Sequence, residues 1–215
     1  MSLSKYNRFV CARTTQYVVY EFWKCLTENP EKLYDIVTSE HFKFDEVDLP
    51  YMQKKWAHFK DQYMRSALFF LLNKCTSEGL ISYGEIKANI LSHADLADLK
   101  TFRKPKDLHL IFDKSAFEQS LAKPHGEYTV ISAGDYRYKF LDGGKAVGLE
   151  ETKVDHEKLF TYFTSTDQKN ILIYNYRSDI IKKYKEVSST LLLIDKYGNT
   201  TDSESNCREV IIANF

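Results

Sequence analysis

Gly126-Glu127-Tyr128-Thr129-Val130-Ile131-Ser132-Ala133-Gly134-Asp135 is the stretch whose reading decides the fold. Tyr128 to Ile131 are aromatic or β-branched, the side chains that suit a pleated surface, and the small residues Ser132, Ala133 and Gly134 mark a turn after them. Open α/β sheets place their chemistry at such strand ends. The stretch therefore predicts a strand over 128–131, a turn over 132–134 and a candidate site at that turn. Glu127 and Asp135 would share a face only on an unbroken strand, so they are not read as an acid–base pair.

Outward from this stretch, helical and extended patterns alternate. Lys5 to Ala12 read as one strand, and helix begins near Gln16, where Val18, Val19, Phe22, Trp23 and Leu26 recur at helical spacing. Asn29-Pro30 stops that helix, because proline has no N–H to donate, and a second helix is expected over 31–39. A polar, acidic stretch with Pro50 leads into one long helical pattern over 51–74. Its Phe59, Tyr63, Ala67, Phe70 and Leu71 share a face, which reads as core and not as a platform for stacked bases. Residues 79–90 read as extended, 94–102 as a short helix, Leu108 to Phe112 as a buried strand and 115–121 as another short helix. Gly143-Gly144 and Gly148 suggest a loop without the strand-turn-helix context of a phosphate cradle.

Composition narrows the function classes. With 215 residues and 43% hydrophobic content the chain can bury one sizeable core beside a small subdomain. Thirty basic and 30 acidic residues give zero formal charge, so any contact with nucleic acid falls to local patches and not to an overall field. Cys11, Cys25, Cys75 and Cys207 lack paired spacing and read as reduced, buried thiols. The six histidines, His41, His58, His93, His109, His125 and His156, lack metal-ligand spacing, and His109, inside an apolar run, reads as a core residue. No metal site, serine elbow or phosphate loop is expected. No apolar run approaches the ~18 residues that span a bilayer, and no secretory signal opens the chain, so a soluble, cytoplasmic protein with no membrane partner is expected.

Four segments together resemble the DNA adenine methylase family, the Dam-type enzymes that methylate the exocyclic amine of adenine. Residues 67–89, with Ala67-Leu68-Phe69-Phe70-Leu71-Leu72-Asn73-Lys74 and then Glu78-Gly79-Leu80-Ile81-Ser82-Tyr83-Gly84, resemble the family's helix ending in Leu-Asn and the Asn-Gly hairpin that opens its DNA-recognition region; here Glu78-Gly79 replaces Asn-Gly. Residues 126–135 resemble its catalytic strand, with Ser132, Ala133, Gly134 and Asp135 where the family has Asp-Pro-Pro-Tyr. Asp155 to Leu159, Ile171 to Tyr176 and Ile180 to Tyr184 resemble the helix, strand and helix that follow the catalytic turn. Arg208 to Phe215 resemble the closing strand. The similarity spans about residues 5–215.

What the resemblance implies is an α/β, Rossmann-like methyltransferase sheet with helices on both faces, formed by residues 1–49 and 108–215, and a small helical and hairpin recognition subdomain over 50–107. In the family the catalytic motif accepts hydrogen bonds from the flipped adenine's amine and stacks on its ring; none of the four positions here matches. The family's Phe-x-Gly-x-Gly turn, which wraps S-adenosylmethionine, has no counterpart, since no glycine precedes Gly79 and no carboxylate precedes Glu21. If the first strand corresponds to the family's second, the ribose acid falls near Thr14. No cofactor is therefore expected, S-adenosylmethionine being required only if activity is retained. The cofactor-turn strand lies mid-sheet in the family, so residues 5–12 are expected to fill the central slot.

The resemblance brackets a DNA contact with Tyr83 and Lys87 in the hairpin, Arg103, Lys104 and Lys106 behind it, and Tyr136 and Arg137 after the degenerate motif. Interleaved aromatic and basic side chains over 136–140 suit stacking and phosphate pairing, with an ordinary strand or loop as the alternative. Lys182, Lys183 and Lys185 read as a solvated helix face. Three readings of function follow: a catalytically degenerate relative that binds double-stranded DNA or a partner; an active methyltransferase, or one completed by a protein subunit supplying the cofactor half; and an interaction protein without a DNA role.

Overall fold

This computed structural model describes residues 9–14, 16–39, 48–76, 81, 84–87, 91–113, 119, 121–122, 126–134 and 154–215. The chain is a mixed α/β protein with two small sheets, and it divides into two compact units, one of residues 1–114 and 141–152 and the other of 115–140 and 153–215.

In the first unit, β1 (Val10–Thr14) and β2 (Leu108–Phe112) pair in parallel, from Val10 opposite Leu108 to Thr14 opposite Phe112. Helix α1 (Tyr17–Glu28) follows β1 at once; the Thr14 hydroxyl accepts from the Gln16 N–H at 3.0 Å and fixes the entry. Asn29 both closes α1 and opens α2 (Pro30–Val37). Its N–H donates to the Cys25 carbonyl, and its side chain accepts from the Lys32 N–H at 2.9 Å, while Pro30 supplies the first helical residue, where a missing N–H costs nothing. Val18, Phe22, Cys25 and Leu26 of α1 and Leu33 and Val37 of α2 enter one buried cluster with Leu68, Leu71 and Leu72 of α4 (Gln62–Cys75) and Leu99 of α5 (His93–Thr101). Helix α5 begins in a reciprocal cap, Ser92 Oγ accepting from the Asp95 N–H and Asp95 from the Ser92 N–H, each at 3.1 Å. The Asp95 carboxyl, bonded first to Lys74 and then to Ser92, is held down to about 2.

The long helix expected over 51–74 is broken into α3 (Asp48–Lys55), a 3-10 turn at Trp56–His58, and α4. Two groups cause the break. Asp61 caps α4, accepting from the Met64 N–H at 2.8 Å. The Arg65 guanidinium donates to the carbonyls of Lys60, at 2.8 Å, and Phe59, two acceptors that a continuous helix would have used. Arg65 also grips Glu21 of α1 through Nε at 2.8 Å and through Nη2, and Glu21 is 2% exposed. The expected apolar stripe is core as read: Tyr63, Ala67 and Leu71 are buried, with Phe59 and Phe70 packed against them. Of the extended stretch expected over 79–90, the described part makes an isolated antiparallel bridge from Thr76 to Ile86.

In the second unit, β3 (Tyr128–Gly134), β4 (Lys169–Asn175), β5 (Thr190–Asp195) and β6 (Cys207–Ala213) form a sheet in the order β3-β4-β6-β5. β3 and β4 are parallel; β6 is antiparallel to both β4 and β5. Helix α6 (His156–Ser165) lies between β3 and β4 in the chain and α7 (Ser178–Tyr184) between β4 and β5. Alternation buries Leu172 and Tyr174 of β4 against Leu159 and Phe163 of α6 and Ile180 and Tyr184 of α7. Asn214 ties the closing strand in: it accepts from the Asn170 N–H at 2.8 Å and donates to the Gln168 carbonyl at 3.0 Å.

Three expectations need correction. The strands form two small sheets instead of one open sheet, and among the described residues of the second unit the helices pack on one sheet face. β1 does not fill a central slot: among the described residues its sole ladder partner is β2. The predicted turn over 132–134 is strand. Ser132 pairs with Ile173 and Gly134 with Tyr174, so the ladder continues past a bulge at Ala133, where two steps on β3 meet one on β4. The helix expected over 115–121 falls mainly outside the described residues.

Removing either member of the Glu21–Arg65 pair strands its partner's charge, and removing Arg65 also frees two carbonyls. Arg65→Ala is expected to cost about 3–5 kcal/mol in urea unfolding, and Glu21→Leu combined with Arg65→Leu less than either alone. A loss below about 1 kcal/mol for Arg65→Ala would place the pair among ordinary surface pairs.

Candidate nucleic-acid interface

Packing of α1 beside β2 in the first unit creates an open depression of about 310 Å³. One wall is the outer stripe of α1, Tyr20, Lys24, Thr27 and Glu28, at the spacing that puts residues on one helix face. The other wall is the segment entering β2: Lys104, Lys106, Leu108, His109 and Leu110. That segment turns tightly, with the Leu108 N–H donating to the Pro105 carbonyl at 3.2 Å, and this sets both lysines on the approach to the strand. Aromatic contacts hold the walls: Tyr20 stacks on Phe112 with centroids 5.7 Å apart, and Phe9 lies 4.9 Å from the His109 ring.

Three lysines and one glutamate line this depression, so it is locally cationic although the whole chain is neutral. Lys24 and Glu28 are 4.0 Å apart, with 40% and 49% of their side chains exposed, a separation and exposure at which an ion pair holds weakly. Ammonium groups around an open, polar hollow suit phosphate oxygens, which they bind as point charges without reading base sequence. Among the described residues, no group of three or more His, Cys, Asp or Glu side chains could hold a metal ion, and no helix is long and apolar enough to cross a membrane.

Of the residues expected to touch DNA, the structure brings Lys104 and Lys106 together here. Arg103 is turned elsewhere, donating to the carbonyls of Phe102 at 2.8 Å and Lys100 at 3.4 Å beyond the end of α5. Lys87 lies after Ile86, its N–H donating to the Cys75 carbonyl at 2.7 Å. Tyr83, Tyr136 and Arg137 lie outside the described residues, as does Asp135 of the degenerate motif. Lys183 is engaged by Glu157 and lies 4.9 Å over the Phe160 ring. Lys24, Tyr20 and His109 had no functional reading in the sequence; only the packing of α1 on β2 brings them to the lysines of 104 and 106, and His109, expected in the core of a buried strand, is exposed on a β2 of which Leu108 alone is buried.

At the degenerate motif, Ser132 is exposed and Ala133 packs against the buried cluster of the second unit. Tyr174, register partner of Gly134, belongs to a chain of polar groups that the sequence reading missed. Its hydroxyl lies 3.2 Å from His156 Nδ1 and 3.5 Å from the Tyr184 hydroxyl, and both tyrosines are fully buried. Two tyrosines in otherwise apolar core positions were the available signal. Burial, then the nearby Lys183 ammonium, push the His156 pKa below the ordinary imidazole value, with Asp155 and Glu157 offsetting part of this. No protein-family model matches this chain, and no curated protein matches it significantly.

The depressed His156 pKa fixes a sign. Between the unfolded value, about 6.5, and the lower folded value, the unfolded chain binds more protons, so stability is full above that window and declines as pH falls through it. The urea midpoint is expected to drop between pH about 7.5 and about 5.5, and His156→Gln to lack this contribution. An identical pH dependence in the variant would contradict it.

Proposed function

We propose that this chain is a catalytically degenerate relative of the Dam-type DNA adenine methylases, with a Rossmann-like ancestry to its sheets, that binds duplex DNA through phosphate contacts. The observation that carries the reading is the order of elements after 128–134: α6, the parallel strand β4, α7, β5 and a closing β6, of which all but β5 fall on the residues where the resemblance sets the family's helix, strand, helix and last strand. The cationic depression at Lys24, Lys104 and Lys106 supports the DNA contact.

Loss of methyl transfer rests on residues. Ser132, Ala133 and Gly134 lack the carboxylate and the stacking ring of the family motif, and Asp135 stands in the place of its tyrosine. Preorganised groups of this kind supply about 10²–10³ in rate each. Residues 1–78 contain no glycine, so this stretch offers no glycine turn of the kind that wraps S-adenosylmethionine in the family.

The test is fluorescence anisotropy with labelled duplex DNA over a range of salt, beside an assay for methyladenine. Binding is expected without methylation, with little dependence on sequence. Affinity should fall as salt rises, and Lys104→Ala and Lys106→Ala should each reduce the logarithmic salt slope by about 1. Methylation by the purified chain would defeat the catalytic half of the proposal. No anisotropy change at low salt would defeat the DNA half and favour an interaction protein. Methylation appearing only on coexpression with a second polypeptide would favour a split enzyme.

A further inference from the structure

Two kinds of group line the depression between α1 and β2, and phosphate contacts use only one of them. Lys24, Lys104 and Lys106 bring positive charge. Tyr20 brings a ring, and Leu108 and Leu110 bring apolar side chains from the β2 face that also carries Phe112. A duplex keeps its bases inside the stack and offers phosphate and sugar to a positive surface, so neither the ring nor the apolar lining finds a partner there.

The Tyr20 ring is held in place. It stacks on Phe112 with ring planes 28° apart, and Tyr17 adjoins both, with centroids 6.3 Å from Tyr20 and 5.3 Å from Phe112. Tyr20 is half-buried, so part of its surface stays open on the wall of the depression. A tyrosine fixed by its neighbours has little freedom left to lose on binding, which suits it to a flat apolar partner. Glu28 adds a carboxylate that repels phosphate but accepts a hydrogen bond from an exocyclic amine, as acidic side chains do with cytosine. At about 310 Å³ the hollow lies at the small end of ligand sites, enough for a single nucleotide.

We propose that the depression takes one unpaired nucleotide of a DNA strand, its base against Tyr20 and its flanking phosphates on Lys24, Lys104 and Lys106. The inference rests on the reading of this depression as a DNA contact and narrows it: the DNA held best is a duplex with a single-stranded flank, not a blunt one. Positive charge along the backbone beside an aromatic face for the base is how proteins hold single strands, and it tolerates any sequence because every base has a π face.

Fluorescence anisotropy on the full chain tests this with labelled probes that share one duplex: blunt, extended by a single-stranded flank of about six nucleotides, and extended by the same flank without its bases. The abasic flank keeps the phosphates, so the difference between the last two probes reports the bases alone. The base-bearing flank is expected to bind about 10-fold tighter than the abasic one, Tyr20→Leu to remove that difference and Tyr20→Phe to keep it. Lys104→Ala is expected to weaken binding of every probe. Ultraviolet cross-linking of the unaltered chain to a flank carrying 5-iodouracil, followed by peptide mapping, is expected to mark Tyr20, and this arm stands even where Tyr20→Leu lowers the melting temperature. Equal binding of the base-bearing and abasic flanks, with the blunt duplex still bound, overturns the inference and leaves the phosphate reading intact. So does a difference that survives Tyr20→Leu, or a cross-link that maps away from α1 and β2. No binding of any probe removes the DNA reading and the inference with it.

Discussion

Two strands that run side by side in the same direction cannot be joined by a tight turn; the chain must travel back along the sheet before the second strand can pair. β1 and β2 obey this constraint, and so do β3 and β4. In the first unit the return path contains α1 to α5, so the whole helical layer is the connection between two strands of five residues each. In the second unit α6 lies on the return from β3 to β4, and α7 on the way from β4 to β5, which runs in the same direction as β4 because both oppose β6. Helix faces supply the buried cluster of the first unit, and in the second they bury it jointly with the strands.

The same connection assembles the cationic depression. Lys24 follows β1 closely and Lys104 and Lys106 precede β2, so residues far apart in sequence meet because their strands are neighbours and α1 lies against β2. The Glu21–Arg65 pair, on the buried side of α1, joins that helix to the start of α4 while Tyr20, Lys24 and Thr27 face the depression. The stability of the helical layer and the geometry of the site therefore share one helix, with adjoining faces used for each.

Much of this was legible in the sequence where a local cause decided it. Leu108 to Phe112 is a strand because an apolar, β-prone run bounded by polar residues has few other uses, and α1 stops at Asn29 because Pro30 cannot extend it. Features decided at a distance were misread. The pattern over 51–74 is helical throughout, but Arg65 and Asp61 take the backbone groups that would join its halves. Ser132-Ala133-Gly134 has turn composition, yet β4 lies alongside and the ladder persists past a bulge. β5 had no reading, although Thr190-Leu191-Leu192-Leu193-Ile194-Asp195 followed by Tyr197-Gly198-Asn199 carries a strand and turn signal. At the depression, the lysines of 104 and 106 stood out as a charge cluster, whereas Lys24, on a helix with acidic neighbours at Glu21 and Glu28, joins them only through packing.

We propose that the chain has a methylase-like order of elements without the means to use a methyl donor. Calorimetric titration of the purified chain with S-adenosylmethionine, beside a Dam-type enzyme as positive control, tests it most directly. The account predicts no heat of binding even at about millimolar ligand. Saturable binding at about micromolar ligand would contradict it, and would mean that side chains other than a glycine turn had rebuilt the donor pocket.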